Sequence, residues 1–351
     1  MPSVDVLVAG AGPAGLTIAR LLALRDRCVG LIEGPRRDCS RLEVVSPAIL
    51  PIFEGLGVAH VLEDPLIARR CLGIRRRWGS RTTQVDDFIG QPGGRGFVID
   101  RRRFDAFLRT EASGAGVEIA SGAVAAVMRD GNAMVVKVRE GSTRSCWSAS
   151  LIVDATGRPA SVARRLGACR LVTQRLVAER QYVSSHAKEK DEAVWLEIEG
   201  NAAAWQYNVT GPGERGERWE IRPGGRRGES DASRLFDASA AFLTRAAGDG
   251  WIAIGDAAAA FDPISAQGLG HALSTALVGA GLILSSGTPG AQHQAAYSDA
   301  VITTFMTSEA ARRQVYLASI GFGPRPSEHA PNQGTLRSPE TQVQGPPRIA
   351  V

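Results

Sequence analysis

The sequence of 351 residues is 44% hydrophobic and 22% charged, the composition of an ordinary globular protein with one large domain or two closely packed ones. Its formal net charge of +5 at pH 7 comes from scattered arginines, since lysine occurs only at positions 137, 188 and 190. No basic stripe with interleaved aromatic residues is present, so we expect no nucleic-acid partner.

The first 33 residues show the pattern of a β–α–β unit. The apolar run "VDVLVAG" (4–10) is typical of a strand buried on both faces of a parallel sheet. Helical spacing follows over 13–26, and "CVGLIE" (28–33) indicates a second buried strand. Such units bind dinucleotides at the turn between the first strand and the helix.

That turn, "GAGPAG", contains Gly10, Gly12 and Gly15 in the G-x-G-x-x-G spacing. In this motif the first glycine permits a tight turn, the second lets the backbone approach a pyrophosphate, and the third lets helix and strand pack closely. Glu33 ends the second strand 23 residues after Gly10, close to the ~20 expected for an acid that binds the ribose 2′-hydroxyl. The motif predicts bound FAD or NAD.

The rest of the chain predicts a second layer inserted into this domain. Residues 41–64 look helical, 97–112 predict a strand and an amphipathic helix, and 150–157 predict a buried strand that ends at Gly157. From about 170 to 246 the pattern alternates as in an antiparallel sheet, and strand and helix patterns of the first type then return. The predicted units are a first part of the nucleotide-binding domain with a short substrate-side segment near 70–97, a substrate-domain sheet, a second part with a C-terminal helix, and a disordered tail (1–170, 171–247, 248–320 and 321–351).

A second glycine-containing segment, "GDAAAAFDPISAQGLGHAL" (255–273), follows a strand pattern and leads into a helix of small residues. Together with "VDATG" (153–157) it resembles the motifs of the FAD-dependent monooxygenase superfamily with the p-hydroxybenzoate hydroxylase-like fold. The resemblance implies an α/β fold, in which a Rossmann-like FAD-binding domain carries an inserted, mostly antiparallel β-sheet substrate domain. It also favours FAD over NAD.

The resemblance implies roles for residues along the whole length of FAD. Asp256 would bond the ribityl chain, Pro263 would fix the turn beside the isoalloxazine ring, and Gly268 would leave room for that ring. The helix start would favour negative charge on the reduced ring. The residues that match cofactor contacts elsewhere in the superfamily are Gly157, Arg41 and Arg101, with Arg102 or Arg103 as alternatives to Arg101.

Three further segments, 71–80, 96–108 and 261–273, resemble the tryptophan-halogenase-like branch of the superfamily. Within it they most resemble flavoproteins that modify tryptophan during the assembly of tryptophylquinone cofactors. The resemblance covers 3–175 and 248–318 and fades in the predicted substrate sheet. Halogenases of this branch use a relay lysine and a Trp-x-Trp-x-Ile-Pro segment. This chain has no lysine before position 137 and no such segment, so halogenation is disfavoured.

Four side chains are candidates for contact with a substrate. Trp205 and Tyr207 alternate onto one strand face, and with Trp219 they would form an aromatic wall suited to a planar substrate, although ordinary core packing is an alternative. His271 lies three residues after Gly268 on the same helix face. It is a candidate general base near neutral pH or a packing residue, and with Pro263 it completes the predicted catalytic set.

The resemblance implies an FAD-dependent monooxygenase that uses O₂ to hydroxylate an electron-rich aromatic substrate. No second G-x-G-x-x-G is present, so NAD(P)H would bind transiently, or a separate reductase would supply electrons. The substrate would be a small molecule or a tryptophan side chain of a protein precursor during quinone cofactor maturation. The alternatives are a monooxygenase of a free natural-product intermediate, an FAD-dependent reductase or dehydrogenase, and a non-catalytic flavin-binding partner protein.

The cysteines and apolar segments indicate a cytoplasmic protein. The number of cysteines is odd, and their spacing matches no metal site or disulfide framework, which predicts free thiols in a reducing compartment. The start of the chain lacks the pattern of a signal peptide. We expect no bound metal and no apolar segment of the ~18 residues that a membrane span requires.

Overall fold

The computed structural model describes residues 1–35, 40–78, 82–184, 193–200, 204–224 and 235–318. These residues form three β-sheets and six α-helices. The helices are α1 (Pro13–Ala23), α2 (Leu50–Gly55), α3 (Arg101–Gly114), α4 (Ser161–Arg165), α5 (Gly268–Ser286) and α6 (Ala291–Ala318). The strands are β1 (Ser3–Ala9), β2 (Val29–Glu33), β3 (Leu42–Val45), β4 (Ala68–Trp78), β5 (Gln84–Asp87), β6 (Gly96–Asp100), β7 (Glu118–Ser121), β8 (Ala123–Asp130), β9 (Ala133–Glu140), β10 (Thr143–Asp154), β11 (Arg170–Gln174), β12 (Leu176–Ser184), β13 (Val194–Gly200), β14 (Trp205–Thr210), β15 (Arg215–Pro223), β16 (Leu235–Asp237), β17 (Ala240–Leu243), β18 (Ala247–Gly248), β19 (Trp251–Ala253) and β20 (Ala259–Ala260).

The first sheet contains the predicted β–α–β unit. Its strand order is β18–β19–β10–β1–β2–β7, with β9 antiparallel to β10 and β8 antiparallel to β9. The β19, β10, β1, β2 and β7 strands run parallel to one another, and β18 is antiparallel to β19. Leu7, Val8 and Ile152 are completely buried in this sheet, as expected for parallel strands covered on both faces. A Cβ at Gly279 would lie only 3.2 Å from Ile18, so this glycine lets α5 pack closely on α1.

The second sheet is the inserted, mostly antiparallel layer, and this fold prediction is confirmed. Its order is β16–β12–β15–β14–β13–β4–β6–β3, with β5 on β4, and only the β13–β4 pair is parallel among the described pairs. The segment near 70–97 contributes β4 to β6, and β3 extends the same sheet. The prediction of helix from 41 onward is wrong at its start, because Val44 and Val45 pair with β6 and the helix begins only at Leu50.

A small third sheet, β11–β17–β20, lies beneath the C-terminal helix. Phe305 of α6 packs on Phe242 and Phe261 from this region, with ring centroids 4.8 Å and 5.7 Å away. The long α6 therefore joins the third sheet to the segment that precedes α5. The predicted tail, 321–351, lies outside the described residues.

Among the described helices, α5 alone is long and apolar enough to cross a membrane by length and composition. This differs from the expectation that no apolar segment reaches that length. More than half of the helix is buried within the protein, including Leu273 and Ala276. Four cysteines are free thiols (Cys28, Cys71, Cys146 and Cys169), and Cys39 lies outside the described residues.

Candidate functional site

The glycine turn after β1 is closed on one side and open on the other. Gly10 has a φ of +114°, and a Cβ there would lie 2.2 Å from the carbonyl oxygen of Ala155. A Cβ at Gly15 would lie 1.9 Å from the carbonyl oxygen of Gly10, so neither position accepts a side chain. A Cβ at Gly12 would meet no atom within 4 Å, which places the open side of the turn at this residue.

The open side of the turn coincides with the start of α1. Gly12 is the N-cap residue, and no side chain caps the helix. The first amides of a helix have no carbonyl partner within the helix and carry partial positive charge, so they form an anion site. Glu33 ends the parallel neighbour of β1 at the same sheet edge, with its Oε2 3.3 Å from Nη2 of Arg109.

The turn after β10 packs against the glycine turn. Asp154 is fully buried and accepts hydrogen bonds from the amides of Val162 and Ala163, 2.9 Å and 2.7 Å away, at the start of α4. Burial raises the pKa of Asp154, although these hydrogen bonds oppose the increase. The arrangement fixes Ala155, the residue whose carbonyl meets Gly10, and Gly157 follows with a φ of +71°.

The Gly255–Asp256 turn lies directly against the start of α1. A Cβ at Gly255 would be 3.0 Å from Cβ of Ala14, and the amide of Gly255 donates to Oγ1 of Thr275 at 2.9 Å. The Asp256 carboxylate is one third exposed and lies 3.6 Å from Nε of Arg158. Two glycine turns that are far apart in the sequence therefore meet at one place in the fold.

Hydrogen bonds hold the turn that leads to α5. Asp262 accepts hydrogen bonds from the amide of Ile264 and the hydroxyl of Tyr316, each at 2.9 Å. Nη1 of Arg312 lies 3.9 Å from the same carboxylate. Burial raises the pKa of Asp262, with these partners opposing the increase. Pro263 begins the short 3-10 turn Pro263–Ser265 under this restraint.

Buried charges lie beside the start of α5. A Cβ at Gly268 would be 3.7 Å from Oε1 of Glu43, which is ion-paired to Arg101 and lies 3.5 Å from Arg41. Burial opposes ionisation of Glu43, but the two guanidiniums outweigh it and lower the pKa of the carboxyl group. Arg101 also donates to Asp105 at 3.1 Å, so its guanidinium lies between two carboxylates. Arg41 is half exposed.

His271 lies on α5 next to the Gly255–Asp256 turn. Its side chain is buried, its ring meets Phe261 edge-on at 4.7 Å, and its Nε2 has no hydrogen-bond partner in the described part of the chain. Burial lowers the pKa of His271 to about 4, although Asp256 and the Gly255 backbone oppose the decrease. The imidazole is therefore neutral near pH 7.

The predicted aromatic residues form one row on the second sheet. The rings of Trp205 and Tyr207 are 5.9 Å apart, and those of Tyr207 and Trp219 are stacked at 6.2 Å. Trp205 donates to the hydroxyl of Tyr316 at 3.1 Å, and Trp219 donates to Glu217 at 2.9 Å. Both indoles are almost fully buried in the core of this sheet, and their role as a substrate wall stays a prediction.

The sequence profile of the FAD binding domain family matches residues 3–216. The chain belongs to this family. The prediction of FAD as the cofactor is thereby confirmed, and with it that of a flavin-dependent oxidoreductase.

Similar proteins cover most of the chain. The digeranylgeranylglycerophospholipid reductase of Methanoculleus marisnigri is 26% identical over 77% of this chain and 74% of its own length. A peptidyl tryptophan dihydroxylase essential for tryptophylquinone cofactor biogenesis has a similar structure, with a TM-score of 0.73 and 21% identity over 92% of this chain and 77% of that one. The p-nitrophenol 4-monooxygenase of Pseudomonas putida aligns over 92% of this chain and 91% of its own, with a TM-score of 0.77 and 14% identity.

The described residues fit the FAD of this family. The uncapped, open helix start at Gly12 suits its pyrophosphate, and Glu33 at the end of β2 suits the adenosine ribose. Asp256, held against the same helix start, suits a hydroxyl of the ribityl chain. The individual contacts of Glu33, Asp256 and Gly268 with the cofactor stay predictions, as do those of Arg41 and Arg101.

Sequence reasoning missed three side chains that hold this region together. Glu43 carries a partly buried charge next to Gly268, Arg158 faces Asp256, and Tyr316 bridges Trp205 to Asp262. An acid within the apolar strand "RLEVV" was an available signal for Glu43. Tyr316 lies 54 positions from its partner Asp262 on an otherwise ordinary helix, so no local pattern identifies it.

We expect His271 to make the protein less stable in acid. Its folded pKa of about 4 is below the ~6.5 of an unfolded histidine, so only the unfolded chain takes up a proton between these values. The contribution of the neutral His271 to the free energy of unfolding is complete above pH 6.5 and declines by about 3 kcal/mol as the pH falls to 4. Urea unfolding of the parent and of His271→Gln across this pH range measures the decline. If the stability of both proteins depended equally on pH, the decline would not come from His271.

Tyr316→Phe should disturb the turn before α5 as well as lower stability. The change leaves Trp205 Nε1 and an Asp262 oxygen without their shared partner, at a cost of about 1–3 kcal/mol. Tyr297→Phe is a matched control, because that buried hydroxyl on the same helix donates to the carbonyl of Ala253. Both variants should unfold more easily, but only Tyr316→Phe should shift the absorption spectrum of bound FAD. Equal spectra would show that the bridge does not reach the ring site.

Proposed function

We propose that the protein is an FAD-dependent monooxygenase that hydroxylates an electron-rich aromatic substrate. The supporting observation is that the partly buried Glu43, the neutral His271 and one end of the aromatic row lie near the start of α5. Trp205 of this row is linked through the hydroxyl of Tyr316 to Asp262, so one end of the row lies beside the turn that leads to α5. Tyr207 is the partly buried member of this row, and we propose that it is the one that contacts a planar substrate.

FAD, when bound, supplies the redox chemistry and the reaction with O₂. The chain's own residues bind and orient it: the amides at Gly12 hold the pyrophosphate, Asp256 holds a sugar hydroxyl, and the Asp262–Pro263 turn sets the position of the ring. His271 offers its Nε2 as a hydrogen-bond acceptor or donor without carrying charge. The buried indoles exclude water from one side of the site.

The substrate that we favour is a tryptophan side chain of a partner protein during quinone cofactor maturation. The fold shared with a peptidyl tryptophan dihydroxylase supports this choice, and the stacked aromatic row would suit an indole. A free aromatic small molecule is the alternative. NAD(P)H would reduce the flavin by transient binding or through a separate reductase, and the reaction would take place in the cytoplasm.

Halogenation is disfavoured by the position of lysine. Among the described residues the single lysine, Lys137, lies exposed on β9 and pairs across the ladder with Cys146, in the first sheet and not at the start of α5. Lys188 and Lys190 lie outside the described residues. A relay amine of the halogenase kind is therefore absent from the described part of the candidate site.

Labelling with ¹⁸O₂ tests the proposal. The reduced enzyme is incubated with a tryptophan-containing precursor protein and, separately, with free indole compounds, and the products are analysed by mass. One heavy oxygen per hydroxylation, without dependence on chloride or bromide, is the expected result. Label only in the free compounds would favour the small-molecule alternative, and a halide-dependent product would overturn hydroxylation.

An FAD-dependent reductase is the second candidate. The match to a digeranylgeranylglycerophospholipid reductase over 77% of this chain favours it. A reductase would add two hydrogens to an alkene and incorporate no oxygen. The same mass analysis with an isoprenoid substrate therefore separates the two functions.

A further inference from the structure

A cavity on the second sheet has no part in the FAD-binding region described above. Its volume is about 290 Å³, near the lower limit for small-molecule pockets. Two contacts separate the cavity from the candidate active site. Arg69, which lines the cavity, donates a hydrogen bond to the carbonyl of Gly211. A Cβ at Gly211 would in turn lie 2.3 Å from Leu42. Leu42 directly precedes Glu43. The cavity is therefore close to the active site but distinct from it.

Three arginines line this cavity. Arg69 is buried, whereas Arg70 and Arg95 are exposed. Glu63 is the one acid among the lining residues, and its carboxylate is 73% exposed and 3.8 Å from Arg95. Arg70 has no ion pair with any described residue. The lining side chains leave a formal net charge of +2.

The fold fixes these charges next to apolar surface. Antiparallel pairing of β4 with β6 places Arg70 opposite Phe97, which also lines the cavity. Cationic side chains that line one cavity attract an anion. The guanidinium fork donates two parallel hydrogen bonds to an oxyanion, most favourably to phosphate or carboxylate.

We propose that this cavity binds the phosphate group of a small organic molecule. A phosphate monoester carries about −1.5 to −2 charges at neutral pH, which matches the net charge of the lining, whereas a single carboxylate matches only half of it. The apolar side at Phe97 would contact the carbon part of the ligand. The phosphate would come from a pyridine nucleotide that reduces the flavin or from a phosphorylated metabolite. The proposal does not depend on the proposed function.

Calorimetric titration of the FAD-loaded protein with inorganic pyrophosphate tests the site. Arg70→Gln and Arg95→Gln should each weaken binding about tenfold, the loss expected for one charge-assisted hydrogen bond. Glu63→Gln removes the competing carboxylate and should strengthen binding. Arg144→Gln, on an exposed part of β10, is the matched control and should bind as the parent does.

The results separate the proposal from its rivals. Absence of saturable pyrophosphate binding to the parent, or equal affinity in Arg70→Gln and Arg144→Gln, would overturn it. Tighter binding of benzoate than of pyrophosphate would overturn the choice of phosphate. Bound FAD is measured in every variant, so a failure here is distinct from a failure of the proposed hydroxylation.

Titration with NADPH identifies the source of the phosphate. Competition between NADPH and pyrophosphate, with a higher KM for NADPH and unchanged kcat in Arg70→Gln, assigns the site to the reductant. Binding of pyrophosphate without competition assigns it to a separate phosphorylated compound. Either result supports a phosphate site.

Discussion

Replacing Gly12 with valine should abolish FAD binding while the apoprotein stays folded. A side chain at this position would project into the open space beside the helix start, where the pyrophosphate must approach the backbone. The φ of −83° is compatible with valine. We expect affinity for FAD to fall at least about a hundredfold, equivalent to about 2.7 kcal/mol. The free energy of unfolding of the apoprotein should change by no more than about 1 kcal/mol, the cost of a poorer N-cap.

Gly15→Ala provides the contrast that makes this result informative. Its Cβ would lie 1.9 Å from the carbonyl oxygen of Gly10, so the turn itself must change and the apoprotein should lose stability. Fluorescence titration with FAD and urea unfolding without FAD measure the two effects separately. Retention of normal FAD affinity by Gly12→Val would show that the open side of the turn is not the phosphate site.

The sequence predicted those parts of the fold that rest on local patterns. Continuous apolar runs identified β1 and β10 because parallel strands covered on both faces need no polar side. The spacing of Gly10, Gly12 and Gly15 identified the turn because backbone sterics allow few alternatives there. Alternation of apolar and polar residues identified the inserted sheet. Each signal depends on residues within about one turn or strand of each other.

The parts that sequence reasoning could not predict depend on contacts between distant segments. The antiparallel pairing of β3 with β6 makes residues 42–45 a strand, although their neighbours have helical spacing. The parallel pairing of β13 with β4 joins two halves of the second sheet, and the paired residues Val194 and Cys71 are 123 positions apart in the chain. The bridge from Trp205 through Tyr316 to Asp262 similarly exists only after α6 has packed on the sheet.

Glu43→Leu is expected to destabilise the protein by about 3–5 kcal/mol. The substitution leaves Arg101, which is only 7% exposed, with Asp105 as its remaining close carboxylate. The control is Glu199→Leu, because the Arg77–Glu199 pair is exposed at 54% and 40% and should be worth about 1 kcal/mol or less. Urea unfolding at pH 7 compares the two. A similar small loss in both variants would show that the charge on Glu43 is solvated.

The double variant Glu43→Leu/Arg101→Met separates stability from function. Removing both partners of this pair leaves Asp105 without its guanidinium, but burial already raises the pKa of that carboxyl group, so it can take up a proton and we expect part of the lost stability to return. The lowered pKa of Glu43 keeps the pair charged in the parent protein. The contribution of the ionised Glu43 to the free energy of unfolding is present above the usual pKa of a glutamate and is lost as the pH falls through the lowered value. Because Oε1 of Glu43 lies 3.7 Å from the position of a Cβ at Gly268, and Arg101 is a predicted cofactor contact, a stable double variant should bind FAD more weakly and hydroxylate slowly. A double variant with full activity would show that this pair serves folding alone.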